Sequence, residues 1–189
     1  MTLIYPIETA RLSLRPFEER DIDDLFAYHA RPEVARFLYW SARNRSEAEK
    51  VLKKRMAKKT LRQEGESLVF AVEQIKLNKV IGDVSLVLRS KEHKQGEIGF
   101  VFHPAYQGRG YATEASKMML SLGFDEFGLH RIFGRCDARN EASARLMERL
   151  GMRREAHFIH NEIFKGEWGD ELVYAILEDE WNKRALKSA

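Results

Sequence analysis

Cysteine is almost missing from this chain. Cys136 is the only one among 189 residues, so no disulfide can form within the chain, and a reducing compartment is expected. Long apolar runs are missing too. None approaches the roughly 20 residues of a helical membrane span, so no membrane association is expected. The opening stretch MTLIYPIETARL lacks a basic segment followed by an apolar one, so no secretory signal is expected and the cytoplasm is the expected location. Charge of one sign is not in excess. Basic residues number 32 against 29 acidic ones, a formal net charge of +3, which is too small to make nucleic acid an expected partner. No cysteine–histidine cluster has metal-ligand spacing. His157 and His160 lie three apart on an expected strand, hence on opposite faces, and no metal is expected. Repeats, low-complexity stretches and linkers are all lacking, so residues 1–189 read as a single domain.

What is present is core-forming material. Hydrophobic residues make up 44% and aromatics 11%, which excludes a disordered chain. Residues 11–17, RLSLRPF, alternate as a strand. Ile22, Leu25, Phe26 and His29 have helical spacing. Ser46 with Glu49 has capping-box spacing and opens a second helix whose apolar stripe is Ala48, Val51, Leu52 and Met56, closed at Gly65. Strands are expected at 67–73, 80–88 and 96–102. Ala115, Met118, Met119 and Leu122 form a helix, and residues 131–137 a strand. A short helix follows with Ala142, Leu146 and Leu150 on its apolar side and Gly151 as its stop. Two last strands, near 154–160 and 171–177, flank a turn at 165–169. The order makes a mixed α/β domain.

Between the strand at 96–102 and the next helix lies PAYQGRGYATEA, residues 104–115. Gly108, Gly110 and Ala112 carry almost no side chain, and Arg109 sits among them. A glycine-rich turn entering a helix is an anion site, because the first helical amides lack backbone partners and face the positive end of the helix dipole. Two familiar phosphate loops do not fit. The G-x-x-x-x-G-K-[ST] string is absent, and Thr113 occupies the third glycine position of G-x-G-x-x-G.

Gln107-Gly108-Arg109-Gly110-Tyr111-Ala112 does fit [RQ]-x-x-G-x-[GA], and here the chain resembles the GNAT family of acyl-CoA-dependent N-acetyltransferases. Residues 11–28 resemble the N-terminus of its RimJ/RimL-like branch. Residues 130–156 resemble its strand, N-x-x-S helix and following strand, and residues 166–181 its C-terminal strand. The resemblance covers nearly the whole chain. It implies a mostly antiparallel central sheet with two splayed parallel strands, flanked by helices. It also implies acetyl-CoA as co-substrate and direct attack on its thioester by a neutral primary amine. The acceptor would be a protein N-terminus, a polyamine or another small amine. A non-catalytic acyl-CoA-binding module is the alternative, and a homodimer is the family-level expectation.

Carried over residue by residue, the resemblance gives the pantetheine arm to backbone groups near Val101 and Phe102. It gives the pyrophosphate to the loop amides of 107–112, with Arg109 as side-chain counter-ion. Asn140 would bond the pantetheine arm, or cap its own helix, or both. Ser143 would lie near the sulfur. Many relatives carry a tyrosine acid where this chain has Met147, so the acid role passes to Ser143, or Ser143 supplies only a hydrogen bond. Glu97 is the first candidate base, with Glu155 or water as rivals. Cys136 reads as a buried small hydrophobe, His103 as a strand-end residue, and Asp170 as a structural hydrogen-bond partner. Lys53, Lys54, Arg55, Lys58 and Lys59 read as a solvated basic face. The walls of the acceptor site would come from residues 37–45 and 164–168.

Overall fold

The computed structural model describes residues 3–188. Strands β1 (Ile7–Glu8), β2 (Leu12–Pro16), β3 (Ser67–Gln74), β4 (Lys79–Ser90), β5 (Gln95–Phe102), β6 (Arg131–Asp137), β7 (Arg153–Phe164) and β8 (Glu167–Leu177) form one sheet. Its order is β1-β2-β3-β4-β5-β6-β8-β7. Every neighbouring pair is antiparallel except β5 and β6, which run parallel. Helices α1 (Ile22–His29), α2 (Pro32–Ala35), α3 (Arg45–Met56), α4 (Tyr111–Ser121), α5 (Glu141–Arg149) and α6 (Glu178–Ser188) flank it. Among the described residues, no helix is long and apolar enough to cross a membrane.

The central strands are buried on both faces, and their alternation sorts the core in two. On β3, Leu68, Phe70 and Val72 point into the larger cluster, while Val69 and Ala71 point into the smaller. The larger cluster takes Ala115, Met119 and Leu120 from α4, and Ala144, Leu146, Met147 and Leu150 from α5 and its end. The smaller takes Leu25 and Tyr28 from α1 and Leu52 from α3. Each fully buried leucine, valine, methionine or phenylalanine among them contributes about 1.5–3 kcal/mol. The two faces therefore have different tenants: α4 and α5 on one, α1 and α3 on the other.

Several expectations shift in detail. The capping box of α3 is Asn44 with Glu47, not Ser46 with Glu49. Ser46 is already the second residue of the helix, so it cannot serve as the residue before its first turn. The helix ends at Ala57 rather than Gly65. Arg55 leaves the solvated basic face: it is buried against Asp83, whose carboxylate also accepts from the Tyr28 hydroxyl at 2.8 Å. On α5, Ala142 is exposed and Ala144 takes its place in the core. The last two strands are longer than expected and meet at a turn of only Lys165 and Gly166. β1, α2 and α6 lie outside the expected set.

Candidate active site

The parallel pair β5–β6 comes apart. Its register runs Gln95↔Arg131, Gly96↔Ile132, Glu97↔Phe133, and ends there. Beyond that point β5 follows β4 to Gly82↔Phe102, while β6 follows β8 to Asp137↔Glu171. A gap opens between Val101–Phe102 on one side and Cys136–Asp137 on the other. The glycine loop leads from the end of β5 into α4. Gly108 and Gly110 have φ of 74 and 80, the left-handed region that a side chain disfavours. A Cβ on Gly108 would meet nothing within 4 Å, and one on Gly110 only the Nη2 of Arg11 at 3.3 Å. The glycines therefore leave open space above the loop. The first intrahelical bond of α4 is Glu114 N to Gly110 O at 3.0 Å, so the amides of Tyr111, Ala112 and Thr113 precede it and have no helical acceptor.

The loop is braced from behind. The Arg11 Nη1 donates to Arg109 O at 2.9 Å, its Nε donates to Glu114 Oε2 at 2.7 Å, and its guanidinium lies 4.6 Å from the Tyr111 ring centroid. Thr9 donates to the other Glu114 oxygen at 2.6 Å. Burial opposes ionisation of Glu114, but these donors outweigh it and hold its carboxyl below the usual range.

A cavity of about 1030 Å³ lies over this loop, within reach of a large cofactor. Phe100, Val101, Phe102, Gln107, Gly108, Gly110, Tyr111 and Ala112 line one side, and Asn140 and Ser143 of the α5 end line the other. Asn140 caps α5, its Oδ1 accepting from Ser143 N at 3.2 Å, which leaves its amide group available. Lys117, Arg145 and Arg149 also line this cavity and make it favourable to an anion. Met147 is 1% exposed, and its sulfur would sit 2.7 Å from a Cβ on Gly134. It packs on β6 and is a core residue.

A second cavity, about 120 Å³, lies on the other face of the sheet. Glu97, Arg135 and Glu171 reach it because each alternates with a residue of the larger core cluster: Ile98, Cys136 and Leu172. Phe37 and Leu38 line both cavities and form the partition between them. Glu97 accepts from Arg89 Nε at 2.6 Å and Arg135 Nε at 3.1 Å. Arg135 also reaches Glu171 at 3.3 Å. Glu171 is 9% exposed, and burial pushes its carboxyl above the usual range against the pull of Arg135. Cys136 contributes to the lining of the same cavity, although its side chain packs toward the larger core cluster. Burial, then Asp137 and Glu171, push its thiol up to about 12, so while the site is closed it stays protonated, and it reacts only when local opening exposes it.

Residues 11–153 match the family of acetyltransferase (GNAT) domains. The chain belongs to the GNAT acetyltransferase family. It is 37% identical to the uncharacterized N-acetyltransferase YnaD of Bacillus subtilis, over 93% of this chain and 99% of that one. The crystal structure of a GNAT-family acetyltransferase from Bacillus anthracis superposes with a TM-score of 0.83 at 35% identity, covering 92% of this chain and 99% of its own. The spermidine N(1)-acetyltransferase of Escherichia coli is 27% identical over 53% of this chain and 54% of that protein. This GNAT protein is thus an acyl-CoA-dependent acetyltransferase that takes acetyl-CoA as co-substrate. The open cradle over Gly108 and Gly110, beside three cations, fits the pyrophosphate-bearing part of that molecule.

The expected residues fall into two groups. Val101, Phe102, Gln107, Gly108, Gly110, Tyr111, Ala112, Asn140 and Ser143 share the large cavity, and Glu97 lines the small one. Arg109 is exposed, with its guanidinium 6.0 Å over the Tyr106 ring, and the cations of the GNAT cavity are Lys117, Arg145 and Arg149 instead. The Gln107 amide is already donated to Pro104 O at 3.1 Å, so Gln107 faces the cavity with its amide committed. Glu155 pairs with Arg131 and Arg153 and lines neither cavity. His103 accepts from Ala105 N at 3.1 Å, capping the turn before the loop, and Asp170 accepts from His157 and from His160 N at 2.9 Å each. Sequence reasoning missed Arg11, Glu171, Arg145 and Arg149. The last two were accessible: with Ala142 and Leu146 they complete a 3.6-period face of α5.

Proposed function

We propose that the protein moves an acetyl group from acetyl-CoA to a primary amine in a ternary complex, with the cofactor in the large cavity and the amine in the small one. One observation carries this reading. The sheet splits past Glu97↔Phe133, and a cofactor-sized cavity on one face meets a carboxylate-lined cavity on the other across Phe37 and Leu38. Bound there, acetyl-CoA supplies an activated acyl group as its thioester. The amides of Gly108 to Ala112 and the side chains of Lys117, Arg145 and Arg149 hold the phosphates, and backbone groups of Val101 and Phe102 orient the pantetheine arm. Asn140 bonds that arm with the amide group its cap leaves available. The Ser143 hydroxyl donates a hydrogen bond at the sulfur, a role Met147 cannot fill.

Glu171 takes the amine proton, because its carboxyl is buried, raised and turned into the acceptor cavity. Glu97, held by two guanidiniums, fixes Arg135. The relatives' range and the carboxylate lining support a cationic small amine or a protein N-terminus as acceptor. The cytoplasm suits a chain with one reduced thiol and a need for acetyl-CoA.

The test is thiol release from acetyl-CoA with a panel of spermidine, short primary amines and free N-terminal peptides, with products identified by mass. Release that depends on the amine is expected, and Glu171→Gln should lower kcat. CoA binding without release on any acceptor would overturn catalysis while leaving the cofactor site in place.

A further inference from the structure

The partition between the two cavities is tied to the far hairpin by two side chains, Lys165 and Tyr39, and Lys165 is the one that holds its backbone. Lys165 opens the turn between β7 and β8 with φ 52, and Gly166 follows with φ 91. Two left-handed residues make a type I′ turn, whose first position favours asparagine, aspartate or glycine. Lysine there is an uncommon and unfavourable choice, and such an outlier persists when its side chain is otherwise engaged. It is engaged. Its Nζ donates to Ala35 O at 2.6 Å and to Trp40 O at 3.2 Å, 130 and 125 residues earlier in the chain. Those two carbonyls bracket Phe37 and Leu38. Tyr39, within the same bracket, bonds Glu162 through its hydroxyl and meets the Phe164 ring edge-on at 5.4 Å. The other end of this segment is anchored without the hairpin. The Trp40 ring stacks on His29 at 4.7 Å, and Arg43 N donates to His29 O at 2.9 Å. Losing the lysine therefore loosens the partition's backbone, while the exposed Tyr39 contacts and the root stay in place.

We propose that Lys165 is a positioning residue for the acceptor side: its ammonium fixes Phe37 and Leu38 between the cavities and so sets which acceptors reach the acyl group. The kinetic consequence rests on the acetyl-transfer reading above; the latch itself does not. Cys136 reports on it independently, because it lines the acceptor cavity and is the only cysteine in the chain.

The experiment compares wild type, Lys165→Asn and Lys165→Arg. Asparagine suits the turn but cannot span to Ala35 and Trp40; arginine keeps a cationic donor. N-ethylmaleimide labelling of Cys136 should be about tenfold faster in Lys165→Asn, as local opening of the wall becomes easier. Its melting temperature should be no lower than wild type, and Lys165→Arg should restore slow labelling. With spermidine as acceptor probe, Lys165→Asn should raise the acceptor KM while the Kd for CoA stays unchanged. An unchanged labelling rate in Lys165→Asn, or a lowered melting temperature with faster labelling in both variants, would overturn the proposal. Absence of thiol release by wild type on every amine would instead overturn the transfer reading, and the labelling result would still decide the latch.

Discussion

Gly110→Val puts the cofactor cradle to a quantitative test. Two costs must be separated, that of the backbone and that of the filled space. Valine at φ 80 costs about 1–2 kcal/mol, since L side chains clash in the left-handed region. Gly65 supplies a matched control. Its φ is 85, nothing lies within 4 Å of its Cβ, and it is exposed in a turn away from both cavities. Gly65→Val should show the backbone cost alone, about 2–8 °C in melting temperature for a chain of this size. The difference between the two variants then isolates the site. A valine at Gly110 crowds the Arg11 guanidinium, 3.3 Å from its Cβ, and so disturbs the brace that positions the amides of Tyr111 and Ala112; a charge-assisted bond from such an amide contributes about 1.5–3 kcal/mol. Losing two of them removes about 3–6 kcal/mol, or roughly two to four orders of magnitude in Kd. Isothermal titration with CoA reads this directly, and melting with and without CoA checks it, since ligand at about 100 times Kd stabilises by about 2.7 kcal/mol. Gly65→Val should keep wild-type affinity, and Gly110→Val should show no CoA-dependent shift. A folded Gly110→Val protein with CoA affinity within about threefold of wild type would refute the cradle, because no set of two amide bonds is worth so little.

Three further outcomes follow from the geometry. Asn140→Ala should cost about 1 kcal/mol of stability through the lost cap, and Asn140→Asp should keep the cap yet weaken CoA binding, which urea titration and calorimetry together resolve. Asp83→Ala leaves Arg55 as an unpaired buried charge and removes the Tyr28 acceptor, so unfolding free energy should fall by about 3–5 kcal/mol. His29 is fully buried, and burial, then Arg55 and Arg43, lower its pKa to about 2. The native state is thus neutral there while the unfolded state binds a proton below about pH 6.5, so stability must rise with pH across that window. Between pH 6 and 4.5 the urea midpoint should report about 1.4 kcal/mol per pH unit from this group, and His29→Gln should flatten that slope; equal slopes in both proteins would show that His29 is not buried neutral.

The sequence was most informative where function uses backbone. The loop of 107–112 is legible as a candidate anion site because amides that hold an anion demand small residues, and that demand is visible in the residue types themselves. The N-x-x-S spacing was legible for a similar reason: a cap and a residue one turn later share a helix face. Arg109 shows the limit. Its position in the loop suggests a counter-ion; in the structure its carbonyl is held by Arg11 and its exposed guanidinium lies over Tyr106, an arrangement no sequence pattern specifies. Glu97 was found by its strand and Glu171 was not, although both flank Arg135, because their proximity arises from β8 pairing beside β6. No local pattern encodes that pairing. The same holds for α2, four residues long, whose role comes from its C-terminal carbonyl meeting Lys165.

This asymmetry has a physical consequence for how the fold can change its substrate. On the proposed assignment, the cofactor side is built mainly from one continuous stretch, residues 100–113, with one face of α5, and its conformation is set by glycine and by helix ends, so changes in that stretch should cost binding. The acceptor side is assembled from three remote segments: the Ala35–Trp40 wall, the ends of β5 and β6, and the β7–β8 hairpin. They meet through ion pairs at Arg135 and hydrogen bonds at Lys165 and Tyr39. Each of those contacts can be altered with little effect on the two core clusters, since Tyr39 and Lys165 lie outside both and are exposed. Substitution can therefore move the acceptor cavity while the cradle over Gly108 and Gly110 stays fixed. An acceptor panel run on wall and hairpin variants should change the preferred amine and leave the CoA affinity constant, whereas variants of the loop should change affinity and leave the order of preferred amines intact.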